Sequence, residues 1–131
     1  MKKIISMTIL SLSSIVSAQA DVVLIGAPTA NTVSASEAKK IFLGKTSSDI
    51  VPFELDANNP TRNEFHSKIT KKSASQLKAY WSKQVFTGKG NPPTTVSSAS
   101  IMKSTIATTA NAIGYIDEAD LDDTVKVLLK P

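Results

Sequence analysis

The residues of this chain whose types and order could do chemistry are Asn59-Pro60-Thr61-Arg62-Asn63. Proline is favoured at the first position of a helix and pushes the residue before it into the extended conformation of an N-cap, so Asn59-Pro60 opens a helix. A helix N-terminus presents free backbone N–H groups and a partial positive charge, and both attract anions. Thr61 adds a hydroxyl there, and Arg62 a guanidinium able to make paired bonds to phosphate oxygens. The chemistry implied is recognition of phosphate or a similar oxyanion. The same residues also read as an ordinary cap, in which Asn59 takes up the amides and Arg62 pairs with a nearby acid.

Other candidates are weaker. His66, the single histidine, follows Phe65 on the same predicted helix. It has no Ser or Cys partner in a catalytic arrangement and reads as a helix-surface side chain. The acidic run Asp117-Glu118-Ala119-Asp120-Leu121-Asp122-Asp123 offers hard oxygen ligands but lacks the glycine and the carboxylate spacing of a calcium loop. No serine lies in a nucleophile elbow, and the absence of cysteine removes thiol catalysis and thiolate metal sites. The expectation is a protein that is not an enzyme and carries neither metal nor cofactor.

The ends and the charge bound the rest. Lys2 and Lys3 precede an apolar run from Ile4 to Val16, and Ala18-Gln19-Ala20 supplies the small residues of a signal-peptidase site. Residues 1–20 are therefore expected to be a signal peptide cut after Ala20, and residues 21–131 a single periplasmic domain. The apolar run is too short to span a bilayer and no second one follows it. Without Lys2 and Lys3 the balance is 13 basic against 11 acidic residues, so the net charge falls from +4 to +2. With no basic stripe interleaved with aromatics, nucleic acid is not an expected partner.

The elements that must position these residues follow from apolar patterning and caps. Asp21–Gly26 reads as a buried strand, with a turn at Ala27-Pro28-Thr29. Ser34 and Glu37 have the spacing of a capping box, opening a helix that turns Ala38, Ile41 and Phe42 inward and stops at Gly44. Ile50–Asp56 is a second strand, and Phe65 and Ile69 form the apolar face of the helix opened by Pro60. Ser73–Phe86 is a helix with Leu77, Trp81 and Val85 on one face, extended by Phe86 and closed at Thr87-Gly88-Lys89-Gly90. Asn91–Thr95 reads as a stiff loop, and Ser97 or Ser98 as the cap of a helix carrying Ile101, Met102 and Ile106. Asn111, well able to take positive φ, leads into a strand over Ala112–Ile116, and Thr124–Leu129 is the last strand. Alternation of strands and helices predicts an α/β domain with a mostly parallel sheet. The core would draw on Val22–Ile25, Ile41, Phe42, Phe65, Ile69, Leu77, Trp81, Phe86, Ile106, Ile113 and Val127.

Several of these pieces, in order, resemble the periplasmic phosphate-binding proteins that feed ABC transporters, within the type 2 periplasmic binding-protein superfamily. Ser36–Lys45, SEAKKIFLGK, is similar to that family's helix ending in IFxGK, and Val51–Asp56 to the strand before its ligand loop. Asn59–Phe65, NPTRNEF, sits where the family has SGTRxxF. The segments YW…FTGKG at Tyr80–Gly90 and NAIGYI at Asn111–Ile116 follow. That family is two-lobed, and 111 residues after the expected cut suffice for one lobe. The resemblance implies a single-lobe, three-layer α/β domain. By the same resemblance Thr61 and Arg62 match ligand-contacting residues, and the expected ligand set is Asn59, Thr61, Arg62 and Asn63. Asn59-Pro60 replaces the family's Ser-Gly, which removes one N–H and the close approach that glycine permits. A lone lobe leaves one side of the anion in water, so a second protein chain or an envelope complex is the expected means of completing the site. The alternative is a non-enzymatic envelope scaffold or interaction protein that reuses the lobe.

Overall fold

The computed structural model describes residues 21–46 and 49–131. The predicted signal peptide and its cleavage site lie outside the described residues.

A five-stranded sheet organises the domain, in the order β3-β2-β4-β1-β5. Strand β1 (Val22–Gly26) is buried along its length, as is β4 (Ala112–Asp117) but for its last residue. They pair antiparallel, Val22 opposite Asp117 and Gly26 opposite Ile113. Strand β5 (Lys126–Leu129) runs antiparallel on the other side of β1, while β2 (Val51–Leu55) lies parallel to β4. A short edge strand, β3 (Thr94–Val96), lies parallel to β2. The sheet is therefore mixed rather than mostly parallel. A continuous apolar run marks a strand covered on both faces, and such a strand looks the same in sequence whichever way its neighbours run. Thr94 and Thr95, expected in the Asn91–Thr95 loop, are strand because Thr94–Val96 pairs with Phe53–Leu55.

Helices cover both faces. Gly114 and Tyr115, adjacent on β4, point to opposite sides. A Cβ at Gly114 would meet Met102 and Ile106 of α4 (Ala99–Thr108), so α4 lies against that face at close range. Tyr115 instead stacks on Phe65 of α2 (Pro60–Lys68), with ring centroids 4.0 Å apart, and tilts against Phe42 of α1 (Ala35–Phe42). This is the three-layer arrangement that the resemblance implied.

The caps fall where the residue types place them. Ser34 accepts from the Glu37 N–H at 3.1 Å, Asn59 precedes α2, and Ser98 rather than Ser97 caps α4. Helix α3 (Ala74–Phe86) opens with a reciprocal box between Ser73 and Gln76. Asn111 takes φ +60° at the entry to β4, and Gly44 takes φ +68° after α1.

Helix α3 is held differently from the others. Its Trp81 ring lies 3.2 Å from the place a Cβ would occupy on Gly44, and the Tyr80 hydroxyl donates to the Leu43 carbonyl at 2.5 Å. The helix is thus fastened to the end of α1, outside the main hydrophobic cluster built on the sheet. Leu77 and Trp81 are buried as expected, but Val85 is 51% exposed and Phe86 91% exposed. Phe86 is not a core residue: the helix has run past the body it packs on.

Candidate functional site

Helix α2 begins where β2 ends, at one edge of the domain. The Asn59 side chain accepts from the Thr61 N–H at 3.0 Å, while its carbonyl accepts from the Arg62 N–H at 3.1 Å. The Asn59 N–H is given to Asp56 O at 2.9 Å, and Pro60 has none. The amides preceding Asn63 are thus engaged within the chain. No carboxylate stands in the first turn of α2, so the positive end of its dipole is not neutralised there. Thr61 is half-buried and Asn63 exposed beside it.

Arg62 turns inward from this turn. One guanidinium nitrogen donates to the Leu55 carbonyl at 3.1 Å, and the other lies 3.4 Å from Glu54 Oε2. Its side chain keeps 17% exposure. Of the four expected ligand residues, the structure gathers Asn59, Thr61 and Asn63 at the helix tip and ties Arg62 to the end of β2.

Glu54 is the centre of a buried polar cluster that sequence reasoning missed. Its other oxygen, Oε1, meets His66 Nε2, and His66 Nδ1 lies 2.8 Å from Thr70 Oγ1. Glu54, His66 and Thr70 are each about 2% exposed, so His66 is an interior residue and not the surface side chain expected of it. The Thr70 hydroxyl also lies 3.3 Å from the His66 carbonyl, toward which it points. Carboxylate, imidazole and hydroxyl follow one another in the order of a hydrolytic triad. With all three enclosed and the hydroxyl aimed at a carbonyl, the arrangement holds β2 to α2 and leaves no place for a substrate. The signal available was His66 four residues before Thr70, with Glu54 on the preceding strand.

Tyr115 closes this cluster from β4. Its hydroxyl accepts the Leu55 N–H at 3.3 Å. Burial first, and then the nearby Glu54 carboxylate, push its ionisation far above the usual phenol range, so it stays neutral.

A groove of about 840 Å³ runs between the start of α2 and the outer side of α3. Leu77, Trp81, Val85 and Phe86 line it, with Arg62 and Lys78 among its polar members. The acidic run is used locally: Asp117 caps a 3₁₀ turn over Glu118–Asp120, Asp122 pairs with Lys103, and Glu118 pairs with Lys130. Among the described residues, no group of three or more metal-ligating side chains is gathered.

No family model and no curated protein sequence matches the chain. Solved structures do. An ABC-type phosphate transport receptor from Vibrio cholerae superposes with TM-score 0.63 and 17% identity over 83% of this chain and 45% of its own. A protein named as a phosphate ABC transporter substrate-binding protein, from Clostridium perfringens and solved with bound phosphate, gives TM-score 0.63 and 21% identity over 83% and 44%. PstS from Borrelia burgdorferi gives 0.60 and 12% over 83% and 46%. This chain spans less than half the length of each, and at these identities what is shared is the fold. The fold resembles a single lobe of a type 2 periplasmic binding protein.

Proposed function

We propose that the chain is an exported, non-enzymatic, solute-binding-protein-like module that takes phosphate or a similar oxyanion weakly at the N-terminus of α2. In this reading residues 1–20 are removed after Ala20 and residues 21–131 act in the periplasm. Thr61 offers a hydroxyl, Asn59 and Asn63 offer side-chain amides, and Arg62 supplies charge. The observation that carries the reading is the carboxylate-free first turn of α2 with Arg62 beside it. The fold that holds it is also found in proteins named for phosphate transport. Binding by the lobe alone would be near millimolar, about −4 kcal/mol, because one side of the anion meets water and the leading amides already have partners. A second protein chain would supply the opposing wall.

A scaffold or interaction role is the second reading, and a specific observation favours it. Arg62 is already held by Glu54 and the Leu55 carbonyl, so the chain supplies its own anion to the residue that would bind one.

Calorimetric titration with phosphate and sulfate distinguishes the two, using protein from the periplasmic fraction with Asp21 at its N-terminus. If the site is used, Arg62→Ala weakens binding by roughly 10- to 150-fold, the range of one charge-assisted contact. Glu54→Gln, which keeps shape but removes the competing charge, tightens it. If neither anion is bound at about 10 mM by any form, binding weaker than about −2.7 kcal/mol leaves the scaffold reading.

A further inference from the structure

The groove along α3 shares only Arg62 with the proposed oxyanion site. It is apolar, with Leu77 and Trp81 as its floor and the exposed Val85 and Phe86 as its wall. A phenylalanine 91% exposed beside a concavity is a side chain without a packing partner among the described residues. The groove has Arg62 and Lys78 at its edge and no carboxylate among its lining residues. The chain in and around α3 has the same sign: residues 71–89 contain five lysines and no aspartate or glutamate. Lys78, Lys83 and Lys89 all stand exposed on or just beyond α3.

We propose that this groove is a docking site for an acidic segment of another protein that carries bulky apolar side chains. The apolar side chains would enter between Trp81 and Phe86, and carboxylates on the same segment would meet Lys78 and the neighbouring lysines. Exclusion of water around the apolar contact would strengthen those charge pairs, and the one-signed rim would speed encounter with an acidic partner. Two-fold pairing with a second copy would bring the same positive rim against itself, which is repulsive. A bilayer surface offers no side chain to fill a concavity of about 840 Å³. Charge and shape together select an acidic, apolar polypeptide.

Trp81 is the only tryptophan and lines the groove, so its emission reports occupancy directly. The probe is a short fluorescein-labelled synthetic peptide of glutamates interspersed with leucine and phenylalanine, followed by anisotropy and by Trp81 emission of the purified protein. Saturable binding is expected, weakening with added salt. Phe86→Ser is expected to weaken it roughly tenfold or more, as central interface contacts do, and Lys78→Glu, a charge reversal at the rim, to weaken it severalfold and flatten its salt dependence. Both side chains are exposed, and unchanged circular dichroism and melting would confirm that the variants fold. Thr61→Ala, at the proposed oxyanion site, should leave peptide binding intact, so failure here and failure of the oxyanion reading are separable. Equal binding of a peptide with lysine in place of glutamate would overturn the proposal, as would binding indifferent to Phe86→Ser. It would also fall if sedimentation showed self-association abolished by Phe86→Ser, or if phosphatidylglycerol vesicles bound and the peptide did not.

Discussion

Helices α2 and α3 break the ordinary distribution of side chains in opposite directions. Helix α2 carries a histidine into the interior and draws an arginine toward a buried glutamate. Helix α3 leaves a valine and a phenylalanine in water. The difference lies in what each helix rests on. Helix α2 packs on the sheet directly over the end of β2, where Glu54 can pair with both Arg62 and His66, so enclosing them is tolerable. Helix α3 is fastened at Trp81 and Tyr80 to the end of α1 and then continues past it. Burial in this domain is set by the docking surface under each helix, and residue type follows only where that surface exists.

The largest expected effect tests the α2 side. Glu54→Ala removes the partner of His66 and of Arg62 together, and breaking a buried ionic group in this way typically costs about 3–5 kcal/mol. Urea unfolding of the variant measures it. A loss below about 1 kcal/mol, the value of a surface pair, would erase the contrast between the helices.

The α3 side is tested by two substitutions that should differ sharply. Trp81→Ala should cost about 3 kcal/mol, the lower end for a buried aromatic, because Trp81 lies outside the main cluster and borders the groove. Phe86→Ser, five residues along, should change stability by no more than about 0.5 kcal/mol. If the two cost the same in thermal melts, Phe86 has an internal partner and the groove is part of the fold.

The smallest effect belongs to an ion pair at the surface. Lys103 Nζ lies 2.8 Å from Asp122, and together with the Thr124 hydroxyl and amide it lowers the Asp122 carboxyl from 3.8 to about 2. A folded value below the unfolded one adds stability that is complete above 3.8 and disappears as pH falls through about 2. The melting difference between wild type and Asp122→Asn should therefore be small at neutral pH and vanish at the acid end. Carboxyl titration by NMR checks the midpoint.

Much of the fold was legible because local chemistry coincided with the tertiary outcome. Ser34, Asn59 and Ser98 announce helix starts, and Asn111 and Gly44 take the positive φ that their types allow. The buried strands β1 and β4 are unbroken apolar runs. The illegible parts depend on distant partners. Three residues after Pro92-Pro93 carry no strand pattern, and β3 exists only because the edge of β2 accepts it. Strand direction left no trace in β1, whose covering on both faces hides whether its neighbours run with it or against it. At the candidate site, the opening of α2 was readable from Asn59-Pro60. The inward turn of Arg62 and the burial of His66 were not, since both depend on a glutamate in the preceding strand. Phe86 misled because helical spacing shows which residues share a face but not how far the supporting surface extends.

The strand order has a consequence for how the chain acquires its shape in time. Strand β4, made after all four helices, inserts between β1 and β2 and is the only link joining the two halves of the sheet. Until β4 emerges, the first strand made has no partner on either side, because β5 comes later still. Such a chain cannot settle into its sheet during synthesis and should fold slowly for its size.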